Sequence, residues 1–303
     1  MTKHGCSVIL NNMDRRQFIK ASGVGLTAGM LGQQYAFPNS PSVKRIYKAV
    51  KVTMIKGDLS VYDKFRLSKD VGFDGISLMA PGMFNVKDVL KAQDLTGLPV
   101  HNVNDSKHWK VRLSDPDPSV RKQAVQDMRD TIQFASDTGA DSILLVVGKV
   151  TDPINENHDQ VWERSTKAIK DTLPLASRLG VRILFENVGN DFCLTPELWN
   201  KYIDQFASPW VGAFYDIGNH HSKGGADVWL RKLGKRIVKL DVKGHHTERK
   251  KNCDLFDGNI DWAKVRAEIE RINFTGWATA EVSGGDQARL RQVVERMDRA
   301  LGI

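Results

Sequence analysis

The chain is poor in cysteine: Cys6, Cys193 and Cys253 are all it has in 303 residues, and none stands near another. That spacing excludes a disulfide-stapled scaffold and any thiolate metal site. No hydrophobic run reaches the roughly 20 residues that a membrane-spanning helix needs; the stretch Ala21–Leu31 is too short and glycine-rich. The chain also lacks internal repeats, low-complexity tracts and a composition break that would mark a second domain. Lys and Arg outnumber Asp and Glu by 44 to 36, a formal charge of +8, but the basic residues are spread along amphipathic stretches. A dispersed excess reads as a solvated surface, helpful towards small anions, and not as a nucleic-acid footprint. With 41% hydrophobic and 26% charged residues there is material for a full-sized core, which excludes global disorder.

The first 42 residues read as a leader. Asp14-Arg15-Arg16-Gln17-Phe18-Ile19-Lys20 precedes the weakly apolar run, and Pro38 to Pro41 follow it. Paired arginines ahead of a short, mildly hydrophobic segment form the layout of a twin-arginine export signal, which predicts a periplasmic protein with no stable membrane span after export. An uncleaved signal would leave it anchored. Four basic residues against Asp14 give the leader +3, so +5 stays with the rest.

From residue 43 to 303 short β-rich runs alternate with amphipathic stretches. The expected pairs are Lys51–Ile55 with Val61–Val71, Phe73–Leu78 with Val86–Thr96, Leu98–Asn104 with Ser119–Thr138, and Asp141–Val147 with Asp159–Arg178. Then come Val181–Glu186 with Pro196–Phe206, Trp210–Asp216 with Ala226–Leu233, Arg236–Asp241 with Asp261–Ile272, and Thr275–Glu281 with Asp286–Leu301. Pro174 is expected to kink the fourth helix. Eight strand–helix units predict an α/β fold, a single (β/α)8 TIM barrel. An open doubly wound sheet would want a glycine-rich phosphate loop after the first strand, and Gly57-Asp58 is no such loop.

Four consecutive strands of that reading end in a carboxylate: Glu186, Asp216, Asp241 and Glu281. In a barrel the C-terminal strand ends share one mouth, so the four would face each other and repel unless a cation neutralises them. All-oxygen ligation favours one divalent ion, Mn²⁺ or Mg²⁺, with Co²⁺ and Zn²⁺ as further candidates. Ion pairs at the rim are the competing account, and for Asp241 they are a serious one, because Lys239 and Lys243 share its face.

The pieces FEN, YDIGN, KLDVKG and NFTGWATAEV, in that order, resemble the xylose isomerase-like family of sugar isomerases and epimerases across residues 50–300. The most specific of them are the Asp216-x-x-Asn219 turn and Gly276-Trp277-x-x-x-Glu281. The resemblance implies that Glu186, Asp216, a strand-seven residue and Glu281 hold one divalent metal. Strand seven offers Asp241 where the family usually has histidine, with His245 as an alternative nitrogen ligand. Asn219 stands where such enzymes often place a substrate-binding histidine. The implied reaction is isomerisation or epimerisation of a sugar or keto-sugar, by proton transfer next to a carbonyl through an enediolate that the metal would stabilise. Glu186 and Glu281 would act as base and acid, and Lys243 would steady the oxyanion. His108, Trp109, Asn219, Lys243 and His245 are expected to contact the sugar. The same superfamily suggests a lyase as the alternative, either an inosose-type dehydratase or one that cleaves an oxidised glycoside. A non-catalytic carbohydrate-binding barrel and an apurinic-site endonuclease fit less well, and a homo-oligomer is compatible with every version.

Overall fold

Eight parallel strands close into a barrel in the computed structural model, which describes residues 46–303; the expected leader lies outside the described residues. The barrel strands are β1 (Ile46–Lys51), β2 (Gly75–Ala80), β3 (Val100–Asp105), β4 (Ser142–Leu145), β5 (Arg182–Glu186), β6 (Val211–Asp216), β7 (Ile237–Val242) and β10 (Gly276–Ala280). β8 (Gly244–His246) and β9 (Lys251–Cys253) form a small antiparallel hairpin after β7. The ring closes where β10 pairs with β1, Ile46 opposite Gly276 and Val50 opposite Ala280.

Eight helices cover the outside: α1 (Val61–Val71), α2 (Val86–Thr96), α3 (Pro118–Asp137), α4 (His158–Leu179), α5 (Pro196–Asp204), α6 (Ala226–Leu233), α7 (Trp262–Arg271) and α8 (Gln287–Leu301). Their ends follow local chemistry. The Ser60 side chain accepts from Asp63 N to open α1, and Gly72 at φ 106° closes it. Asn157 and Gln160 form a reciprocal capping box on α4, which runs on through Pro174. No helix among the described residues is long and apolar enough to cross a membrane.

The expected first strand is displaced. Lys51–Ile55 was to be β1, but the strand occupies Ile46–Lys51, and Val52–Met54 form a 3-10 turn. The sequence misleads because Lys48 and Lys51 look like surface residues. Both are buried, and both ammonium groups end on carboxylates, Lys48 on Asp298 and Lys51 on Asp241.

Strand alternation sorts the interior into layers. Leu184 and Phe214 stand two residues before Glu186 and Asp216, and together with Leu144 they form an apolar layer beneath the mouth. Lys239 and Thr279 stand two residues before Asp241 and Glu281. Lys239 is buried and donates to His101 O and to Asp141, and the loss of hydration lowers its pKa to about 8. The carboxylates therefore sit on a mixed floor at the C-terminal ends of the strands.

The loop that follows β10 is tied to the start of the chain. Gly285 N donates to Met54 O (2.9 Å) and Lys56 N to Gly285 O (3.1 Å). A Cβ at Gly284 would stand 1.8 Å from Met54 O, so only glycine fits there. Gly284→Ala should destabilise the protein by about 2 kcal/mol or more. A urea unfolding midpoint equal to that of the parent would contradict this close approach.

Candidate active site

Glu186 and Asp216 are the last residues of β5 and β6, Asp241 is the penultimate residue of β7, and Glu281 directly follows β10. Each offers a carboxylate oxygen, and these four atoms lie within 4.8 Å of one another. Asp216 and Asp241 are direct register partners on neighbouring strands. Like charges in that relation destabilise a sheet unless something opposes them.

Two lysines oppose them. Lys51 Nζ lies 2.8 Å from Asp241 Oδ2 and 3.0 Å from Glu281 Oε2. Lys243 Nζ lies 2.9 Å from Asp216 Oδ2 and 3.0 Å from the same Glu281 oxygen. Four carboxylates against two ammonium groups still leave two negative charges, which one divalent ion would neutralise. Asp216 Oδ2 and Asp241 Oδ2 are buried beside Lys243 and Lys51, and Asp241 Oδ1 is buried with no partner among the described residues. A buried oxygen without a partner among four converging carboxylates suits a hard cation, so the group could hold a metal ion.

The electrostatics divide the four acids. Burial pushes Glu186 well above the usual carboxylate range, and Glu281 and Asp241 push it further. Burial likewise carries Asp216 to about 8 in spite of Lys243, and Asp241 to about 6 in spite of Lys51. Glu281 goes the other way: the two ammonium groups outweigh its burial and hold it below its ordinary value. Both lysines are raised, because the surrounding carboxylates outweigh their loss of hydration.

The other expected residues are distributed around this group. Asn219 belongs to it: its Nδ2 donates to Glu186 Oε1 (3.3 Å) and Asn187 O (2.9 Å), and its backbone N donates to Asp216 Oδ1 (2.7 Å). His108 is buried, and its Nδ1 accepts from Val146 N (3.2 Å), which leaves the ring proton on Nε2. Burial and the charge of Lys51 hold it neutral, with a pKa of about 3. Trp109 stands edge-on to His108 with 47% of its surface exposed. His245 does not join the carboxylates. It lies on β8 with Nδ1 against Asn252 Oδ1 (2.8 Å), and Asn252 Nδ2 donates to Asn219 Oδ1 (3.1 Å). This chain of hydrogen bonds ends on Glu186 and leaves His245 Nε2 as a buried acceptor without a partner among the described residues. On strand seven it is Asp241 that reaches the group.

Sequence reasoning missed Lys51, Asn187 and Asn252. Lys51 would have been found had β1 been read as ending there, one lysine at a strand end facing four acids. Asn187 clamps two strands: its Nδ2 donates to Asp216 O (2.9 Å), and Asp216 N donates to its Oδ1 (2.7 Å). The remaining histidines with clear packing are structural. His101 stacks on Trp277 at 4.7 Å, and His220 lies against Trp229 at 4.6 Å with Nε2 on Val188 O. A separate cavity of about 790 Å³ opens at the opposite barrel end, where Asp141, Arg182, Lys239 and Trp277 line it.

Asn187→Ala would leave the Asp216 N–H and C=O unpaired in a buried place. It should cost about 1–3 kcal/mol of stability by denaturant titration, while Asn187→Asp should retain only the contact to Asp216 N. An alanine variant as stable as the parent would show that the clamp is not needed to hold β6.

The profile of the xylose isomerase-like TIM barrel family matches residues 65–300. L-ribulose-5-phosphate 3-epimerase UlaE of Escherichia coli O1:K1 / APEC is 25% identical over 258 residues, which are 78% of this chain and 90% of that protein. The D-allulose 3-epimerase of Methylomonas sp., solved in complex with D-allulose, superposes with a TM-score of 0.71 at 16% identity, covering 85% of this chain and 98% of its own. The IOLI protein, solved with a bound zinc atom, gives 0.71 at 14% identity over 84% of this chain and 98% of its own. With its closed eight-stranded barrel and the profile match over most of its length, the chain belongs to the xylose isomerase-like TIM barrel family.

Proposed function

We propose that this protein is a sugar epimerase that moves a proton at the carbon next to a ketone, with one divalent metal held by Glu186, Asp216, Asp241 and Glu281. The observation that carries the reading is the division within the carboxylate group. Glu281 is paired with two ammonium groups, whereas Glu186 has no ion pair among the described residues and accepts from Asn219 instead. Two carboxyl groups in unlike surroundings on the walls of the same mouth can serve the two faces of one carbon, which is what inversion requires.

A metal bound to these four carboxylates would polarise the substrate carbonyl and its neighbouring hydroxyl, lowering the cost of removing the proton between them. Glu281 would take the proton from carbon at one face, and Glu186, once the substrate has displaced it as a ligand, would return one to the other face. Reaction in the opposite direction exchanges the two roles. Asn219, fixed by Asn252 behind it, aims its amide at Glu186 Oε1 and holds that carboxyl in place. His108 offers an Nε2 proton to a sugar oxygen, and Trp109 offers its exposed ring to the sugar face. Sugar epimerases among the relatives support a small keto-sugar as substrate. The proposal includes export to the periplasm, which the Arg15-Arg16 leader pattern supports.

The test is product analysis with L-ribulose, L-ribulose 5-phosphate and a panel of keto-hexoses, using protein stripped of metal and reloaded with Mn²⁺, Mg²⁺, Co²⁺ or Zn²⁺. The expected product has the mass of the substrate and inverted configuration beside the ketone. Glu186→Gln and Glu281→Gln should each lower the rate by about 10²–10⁴-fold. A product lighter by one water, or cleaved, would replace epimerisation with a lyase.

A further inference from the structure

The carboxylate group carries more positive charge of its own than a site built only to grip a metal would need. Lys51 reaches it from the end of β1, with a side chain about 10% exposed, and places Nζ between Asp241 Oδ2 at 2.8 Å and Glu281 Oε2 at 3.0 Å. Lys243 stands across the same Glu281 oxygen, between it and Asp216. Three of the four candidate ligands therefore already face an ammonium group within 3.0 Å, and Glu186 alone does not.

Lys243 is expected at a mouth residue beside the acids, but Lys51 has no such reason to be there. Ala49, two residues earlier on the same face of β1, is small and fully buried beneath it. An ammonium group occupies lone pairs that would otherwise turn towards a metal. It also repels a second cation at short range in a place where water screens little. In return it holds Asp241 and Glu281 together when no ion is bound, so the barrel mouth can close without one.

We propose that Lys51 is a built-in counter-cation that sets the metal affinity of this site, holding the carboxylates assembled without metal and weakening divalent binding so that the ion exchanges readily. The inference rests on the reading that the four carboxylates bind a divalent ion. Lys51 is thus a positioning residue: it acts through Asp241 and Glu281.

The experiment is calorimetric titration of metal-free protein with Mn²⁺, comparing the parent with Lys51→Gln and Lys51→Arg. Glutamine keeps hydrogen-bond donors towards Asp241 and Glu281 but removes the charge, and arginine keeps the charge. Lys51→Gln should bind Mn²⁺ about tenfold tighter or more, with Lys51→Arg within about threefold of the parent. The melting temperature without metal should fall in Lys51→Gln and recover on adding Mn²⁺, and a variant that folds only with Mn²⁺ supports the proposal equally. Parent and Lys51→Gln binding Mn²⁺ alike, or the variant binding more weakly, would overturn it while leaving the metal site intact. No binding by any of the three proteins at millimolar Mn²⁺ would overturn the metal site and this inference together. Should Lys51→Gln fail to fold under both conditions, a tenfold gain in affinity by Lys51→Arg would overturn the proposal and parent-like affinity would support it.

Discussion

Four carboxylates buried at one end of a barrel set the terms for everything around them. Left to themselves they would repel, and the strands that carry them would be pushed apart. Lys51 and Lys243 supply half the opposing charge, and the remaining balance is met by protons or by a divalent ion. Secondary features follow from keeping this group in place. Asn187 ties β5 to β6 through both backbone groups of Asp216, and the turn after β6 folds its own amides onto Asp216 Oδ1. The hairpin of β8 and β9 carries Asn252 over the mouth to brace Asn219 against Glu186.

The same balance explains why acids of one chemical type can differ in role. Glu281 touches both ammonium groups and stays ionised. Glu186 touches neither, and burial together with the neighbouring carboxylates raises its pKa. In the proposed reaction, position relative to two lysines, and not residue identity, would separate acceptor from donor. Lys239 lies one layer lower and pairs towards the opposite end with Asp141, so it takes no part in this division.

Much of this was legible in the sequence. Helices α1 and α2 coincide with the expected spans because Ser60, Gly72, Asn85 and Gly97 mark their ends locally, and α6 coincides with its expected span between Gly225 and Gly234. The four acids were legible because each ends a run of apolar residues, and alternation carries such residues to one mouth. What could not be read was the origin of the opposing charge. A lysine in a short strand looks like a solvated residue until its partners, some 190 and 230 positions away in the chain, are known to converge on it. The hairpin was missed for a related reason: Gly244–His246 and Lys251–Cys253 are too short and polar for periodicity to register, and only glycine fits at position 244, where a Cβ would meet Asp254 O at 2.1 Å.

The central claim is that Glu186 and Glu281 exchange protons with a carbon beside a ketone. Proton NMR of keto-sugars held with the metal-loaded protein in D₂O tests it most directly, because exchange is visible even where the equilibrium hardly moves. The account predicts replacement of one carbon-bound hydrogen next to the carbonyl by deuterium, abolished in Glu281→Gln, while Glu186→Gln loses inversion. Retention of every carbon-bound hydrogen across the panel, by protein shown to carry its metal, would contradict it.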